Sequence, residues 1–139
     1  MDKTLLKKSW ILAGLLLVTN IVLGLLILTI VEFFKIGSPG ISGIAGIIGA
    51  MFVGQIYTVI FKEIMPKKLK INVTVVYILT QIVLGSLLYI FVLDVPNYLL
   101  FFGILVGFSL LYSLLIYWML GSGGKAYLKA LQKREAIKK

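Results

Sequence analysis

Residues 38–66 read SPGISGIAGIIGAMFVGQIYTVIFKEIMP, and the small residues in this stretch decide how the chain is read. Ser42, Gly46, Ala50 and Gly54 recur every four residues, so on a helix they form one smooth ridge, which Gly43 and Gly49 widen. Lipid tails are as apolar as leucine, so hydrophobicity alone cannot pair helices in a bilayer. Small residues can, because they let two backbones approach closely. The stretch is expected to be a membrane-spanning helix and the packing spine of the chain.

Working outward, the composition fits a membrane protein. The chain has 139 residues, of which 60% are hydrophobic and only 14% charged, with a mean hydropathy of +1.08. A soluble domain this small could not hide so much apolar surface; ordinary domains are about one quarter charged. Four apolar stretches stand out, at about 9–34, 40–61, 71–93 and 97–120. Each approaches or exceeds the ~20 residues needed to cross a hydrocarbon core of ~30 Å. Backbone groups in lipid must be paired within the segment, so all four are expected to be helices. The expected fold is an all-α polytopic membrane protein, a four-helix domain over 1–120 with a basic tail over 121–139.

The punctuation between spans is legible. Ser38 and Pro39 suit the N-cap and first position of the second helix, which is expected to run to Met65 because Pro66 cannot extend it. Residues 66–70 are expected to form a tight basic turn. The third helix should end near Asp94, which caps the fourth helix or marks the loop, and Pro96 should lie in the fourth helix's first turn. Gly121-Ser-Gly-Gly124 is expected to break the fourth helix.

Charge then sets orientation. Of the fourteen basic residues, all but Lys35 fall on one side of this topology: Lys3, Lys7 and Lys8, then Lys62, Lys67, Lys68 and Lys70, then the tail from Lys125 to Lys139. The positive-inside rule makes that side cytoplasmic, with both termini inside. Nucleic acid is not expected as a partner; the bilayer is. In the tail, Lys125, Lys129 and Lys133 share a helical stripe, with Arg134 beside it, and Tyr127, Leu128 and Leu131 lie opposite. Such a basic amphipathic helix suits an anionic membrane surface. A solvated tail or a partner-binding helix also fits. The aromatic residues Trp10 and Trp118, and Tyr89 and Tyr98, are expected as interface anchors.

Thr19-Asn-Ile-Val-Leu-Gly24 has an echo in Thr80-Gln-Ile-Val-Leu-Gly85. The same offset aligns Ser42 and Gly46 with Gly103 and Gly107. Two repeated hairpins related by an axis along the membrane normal would explain this; so would chance in sequence this rich in Leu, Ile and Val. If the duplication holds, Asn20 and Gln81 lie at equal depth and face each other.

Chemistry-bearing residues are few. The chain has no cysteine and no histidine, which removes disulfides, thiolates, the commonest metal ligand and the usual general base. No phosphate loop and no acid–base pair with a nucleophile appears, so no catalytic residue, metal or cofactor is expected. Glu32 lies near the outer end of the first span, either as an interfacial partner of Lys35 or as a proton or cation site. Asn20, Gln55 and Gln81 are the deeper polar residues, either interhelical hydrogen-bonding groups or the lining of a polar path. Ser109 and Ser113 are expected to bond their own helix and take no role.

Gly37-Ser-Pro-Gly-Ile-Ser42, followed by Ile48-Gly-Ala-Met-Phe-Val-Gly-Gln55, resembles the signature of a family of small, uncharacterised four-span inner-membrane proteins of gammaproteobacteria. Gly121–Gly124, with Lys125 and the basic tail after it, is similar to that family's closing pattern. The resemblance covers most of the chain. It implies a bacterial inner membrane and four helices, and it carries no activity. The reading that follows is a non-enzymatic membrane protein acting by lateral contact with a membrane-protein partner or with itself, as an accessory subunit or an immunity-like protein. The rival readings are a small oligomeric transporter or channel, with Glu32, Asn20, Gln55 and Gln81 along its path, and a surface-binding protein working through its tail.

Overall fold

The computed structural model describes residues 7–34, 41–92 and 97–137, without the side chains at 41–43, 88, 89 and 92. The chain folds into α1 (Ser9–Phe34), α2 (Ile41–Phe61), α3 (Lys67–Val92) and α4 (Tyr98–Ile137), with no strand among the described residues. All four helices are long and apolar enough to cross a membrane. The protein is therefore an all-α, multi-pass membrane protein. The turn at 35–40 with Ser38 and Pro39, the partner Lys35, the cap candidate Asp94, Pro96, and Lys3, Lys138 and Lys139 lie outside the described residues. So do the side chains of Ser42 and Tyr89.

Three boundaries differ from expectation, each for a local reason. α2 stops at Phe61 rather than Met65. Lys62 takes the left-handed backbone conformation (φ 58°) and donates its N–H to the Thr58 carbonyl at 2.8 Å, a C-terminal cap of the αL type. The chain then folds back, so that Tyr57 donates its hydroxyl to the Glu63 carboxylate at 3.2 Å and Met65 plugs into the core. α3 begins at Lys67, because the Pro66 carbonyl accepts the Lys70 N–H at 3.0 Å; the residues expected in a basic turn are helical. At the start of α4, Asn97 is the N-cap, its Oδ1 accepting the Leu100 N–H at 3.3 Å.

The largest difference is in α4, which continues unbroken through Gly121–Gly124 for 40 residues. Each glycine costs a helix about 1 kcal/mol relative to alanine, so something must hold these in place. It is α2. A Cβ at Gly123 would run into the Met51 carbonyl, one at Gly54 into the Leu120 carbonyl, and one at Gly124 into the Thr58 hydroxyl. The two backbones touch. Glycines on both sides form the seam, and the small residues that looked like a break are half of a helix–helix contact. The basic residues Lys125, Lys129, Lys133 and Arg134 are exposed on the continuation of the same helix, not on a separate surface helix.

The helices form a ring in the order α1–α2–α4–α3, with α2 packed most heavily on α4. Ala50, Val53 and Tyr57 of α2, Leu12 and Leu16 of α1, Val73 and Tyr77 of α3, and Ile116 and Leu120 of α4 fill its core. All lie in the half of the bundle nearer the lysines. In a ring of this order α1 and α3 are neighbours. A two-fold rotation about the bundle axis would instead put exchanged helices on opposite corners, so the echo in sequence does not extend to such a symmetry. The small residues differ as well: Gly46 meets the tip of Tyr112, while its counterpart Gly107, like Gly103, has nothing within 4 Å of an added Cβ.

At the basic end, cations cover aromatic rings. The Lys7 ammonium lies 5.1 Å from the centre of Phe61, and that of Lys70 lies 4.6 Å from the centre of Tyr117. Trp10 and Trp118 are exposed on the flanks.

Candidate functional site

Away from the lysines the bundle opens. A cavity of ≈ 820 Å³ lies between α1, α3 and α4, and its described lining runs from Leu17 to Leu28, from Tyr77 to Gly85 and from Phe101 to Tyr112. Two of its walls are the echoed segments. Gly24 has nothing within 4 Å of an added Cβ, and Gly85 has only the Leu105 side chain, at 3.1 Å. The missing side chains at these matched positions leave room between α1, α3 and α4.

The polar groups gather at the deep end, next to the packed core. Asn20 donates its carboxamide Nδ2 to the Tyr77 hydroxyl at 2.6 Å, joining α1 to α3. Gln81, one turn beyond Tyr77 on α3, lines the same cavity. Asn20 and Gln81 thus line one cavity, and the bond that Asn20 makes across it is to Tyr77. The neighbouring threonines take no part. Thr19 donates to the Leu15 carbonyl at 2.7 Å and Thr80 to the Val76 carbonyl at 2.8 Å. Ser113 likewise donates to Leu110 at 2.6 Å. Ser109 does not; it lines the cavity, and its hydroxyl has no hydrogen-bond partner among the described residues.

Of the expected intramembrane polar residues, the structure brings together Asn20 and Gln81 only. Glu32 is exposed near the far end of α1, and Gln55 is half-buried on α2; neither is among the described lining. Among the ridge residues, Gly46, Ala50 and Gly54 are buried inside the fold. Gly103 and Gly107 are exposed on α4, turned away from the cavity. No group of three or more His, Cys, Asp or Glu residues comes together among the described residues.

Sequence reasoning did not single out Tyr77, and it assigned Ser109 to its own helix with no role. A usable signal for Tyr77 was present, since it lies four residues before Gln81 and shares its helical face. For Ser109 the signal was absent: a serine that bonds its own helix and one that faces a cavity read alike. One further hydroxyl stands apart. Thr74 Oγ1, on α3 a turn below Tyr77, is buried without a partner among the described residues.

With this geometry in hand, comparison with known proteins adds no relative: no family model, curated protein or solved structure matches the chain.

Proposed function

We propose that this is a non-enzymatic protein of a bacterial inner membrane that holds a molecule taken up from the bilayer in the cavity between α1, α3 and α4. The observation that carries this reading is the contrast within the bundle. The half near the lysines is packed to the backbone, while the far half leaves an open cavity of ≈ 820 Å³ with its polar side chains gathered at one end. Such a cavity is within the range that binds small molecules, ~300–1,000 Å³, and apolar walls with a few convergent polar groups are what such sites are made of. The polar groups are carboxamides and hydroxyls, which bind and orient but lack the acid–base pairing that chemistry would need. The distribution of basic residues supports termini in the cytoplasm and a cavity in the outer half of the bilayer. The test is co-purification. The protein extracted with its native lipid should carry a bound bilayer molecule that mass spectrometry detects, and Gly24→Phe, which fills the cavity, should lose it. Retention of the same molecule by the filled variant would dispose of this reading.

A second reading, lateral association, has one observation in its favour. The ridge of α2 is used up inside the fold, but Gly103 and Gly107 on α4 present an open notch to the lipid. Because the chain has no cysteine, Gly103→Cys gives a single reporter of self-association. Oxidative cross-linking of this variant in membranes, weakened by a second change Gly107→Leu, would support association; monomer throughout would count against self-association by this face.

A further inference from the structure

The polarity of the cavity names its guest. A phospholipid of the same leaflet keeps its head at the surface and sends its tails toward the midplane. Here the polar groups lie deep and the apolar walls lie outward. From Asn20 to Leu28 on α1, and from Ser109 to Phe101 on α4, the wall runs about 12 Å along the helix axes. At the deep end stand Asn20, Tyr77, Gln81 and Ser109; beyond them come glycine, aliphatic and phenylalanine side chains. A phospholipid seated here would put its tail ends against the carboxamides, leaving them unsatisfied, which is costly where water is excluded.

No Asp, Glu, Lys or Arg is among the described lining residues, so the guest is uncharged. The Ser109 hydroxyl has no hydrogen-bond partner among the described residues, and the Gln81 carboxamide offers further donor capacity, so a carbonyl-bearing head is matched in kind. Phe101 and Phe108 in the walls favour a ring or an isoprenoid chain over a bulky polar body. Leu28 and Phe108 line the cavity and are also 60% and 71% exposed, so its walls are open rather than sealed.

Building on the cavity reading above, we propose that the ligand is an uncharged, carbonyl-headed isoprenoid of the quinone class. Its head seats on Asn20, Tyr77, Gln81 and Ser109 near mid-bilayer, and its tail runs outward between α1, α3 and α4. The orientation is the reverse of a phospholipid's.

The test uses the full chain in nanodiscs with two probes, a benzoquinone carrying a short isoprenoid tail and an isoprenoid hydrocarbon of matching size. Binding is read by native mass spectrometry and by thermal shift. The quinone should bind at least tenfold more tightly than the hydrocarbon. Ser109→Ala and Gln81→Leu should each weaken the quinone several-fold and leave the hydrocarbon unchanged, while Gly24→Phe should abolish both. Tyr77→Phe keeps the ring in the core and guards against misfolding; it too should weaken the quinone alone. Equal binding of both probes, indifferent to Ser109→Ala, Gln81→Leu and Tyr77→Phe, would overturn the headgroup assignment and leave the cavity reading standing. Binding of neither probe, or binding untouched by Gly24→Phe, would overturn this proposal; the co-purified molecule then decides whether the cavity reading goes with it.

Discussion

Replacing Gly54 by alanine should cost more stability than replacing Gly46, although the two share a ridge of α2. The difference lies in what the new methyl meets. At Gly46 it meets the hydroxyl end of Tyr112, side-chain rather than backbone atoms. At Gly54 it meets the Leu120 carbonyl, with the carbonyl carbon 3.0 Å and the Cα 3.3 Å away. These are backbone atoms of a helix and cannot move alone. Carbon atoms at rest sit ~3.5–4.0 Å apart, so α2 and α4 must separate by on the order of 1 Å, which forfeits up to half of each contact along the seam. Over some tens of atom pairs at ~0.1–0.2 kcal/mol each, the loss is about 2 kcal/mol. Better helix propensity returns up to ~1 kcal/mol. Gly54→Ala should therefore destabilise by about 1–2 kcal/mol, within the usual range for overpacking. Gly123→Ala, whose methyl meets the Met51 carbonyl, should do the same. One separation of the helices relieves both clashes, so the double variant should cost less than the two single costs combined. Gly46→Ala should stay within about 0.5 kcal/mol of the parent, and Gly103→Ala, with open space around it, should be neutral or stabilising. Reversible unfolding in mixed micelles, followed by circular dichroism, measures all five. Equal effects at Gly54 and Gly103, or strict additivity at Gly54 and Gly123, would refute a backbone seam.

Three other outcomes are expected. Thr74→Val removes a buried hydroxyl that has no partner among the described residues and keeps its shape, so it should raise stability by about 1 kcal/mol in the same unfolding assay; a loss of that size would mean the hydroxyl is satisfied after all. Truncation after Lys125 should leave the thermal midpoint nearly unchanged, whereas truncation after Leu120 removes Gly121–Gly124 from the seam and should lower it sharply; equal midpoints would deny those glycines a structural part. Reporter fusions at the C-terminus should be active with a cytoplasmic reporter and silent with a periplasmic one; the opposite pattern would invert the topology and move the cavity to the inner half of the bilayer.

The spans were legible because the bilayer imposes one requirement, continuous apolar length, that sequence states directly. The first was expected over 9–34 and runs Ser9–Phe34. Where boundaries slipped, a tertiary contact had overruled a local rule. Gly121–Gly124 reads as a helix stop by propensity, and only the backbone of α2 against it explains why the helix goes on. Phe61 ends α2 because Tyr57 and Glu63 close on each other, a pairing no periodicity announces. The candidate site was half legible. Asn20 and Gln81 stood out as carboxamides in repeated surroundings, and an unpaired carboxamide in lipid must find a partner. That the partner would be Tyr77, and that Gly24 and Gly85 would leave space beside it rather than bring helices together, depended on the ring order of the helices, which short connections alone do not determine.

The unbroken run of α4 has a mechanical consequence. One end of this helix walls the cavity, with Phe101 and Phe108; the other carries Lys129, Lys133 and Arg134 beyond the lysine belt. Forty residues of α-helix make a rod about 60 Å long. The glycine seam with α2 lies between the two ends, with Ile116 and Leu120 packed beside it. A tilt of ~5° about that point would move each end by a few ångströms in opposite directions, given the rise of 1.5 Å per residue. Any such tilt of the continuous helix would displace the cavity wall and the basic end together.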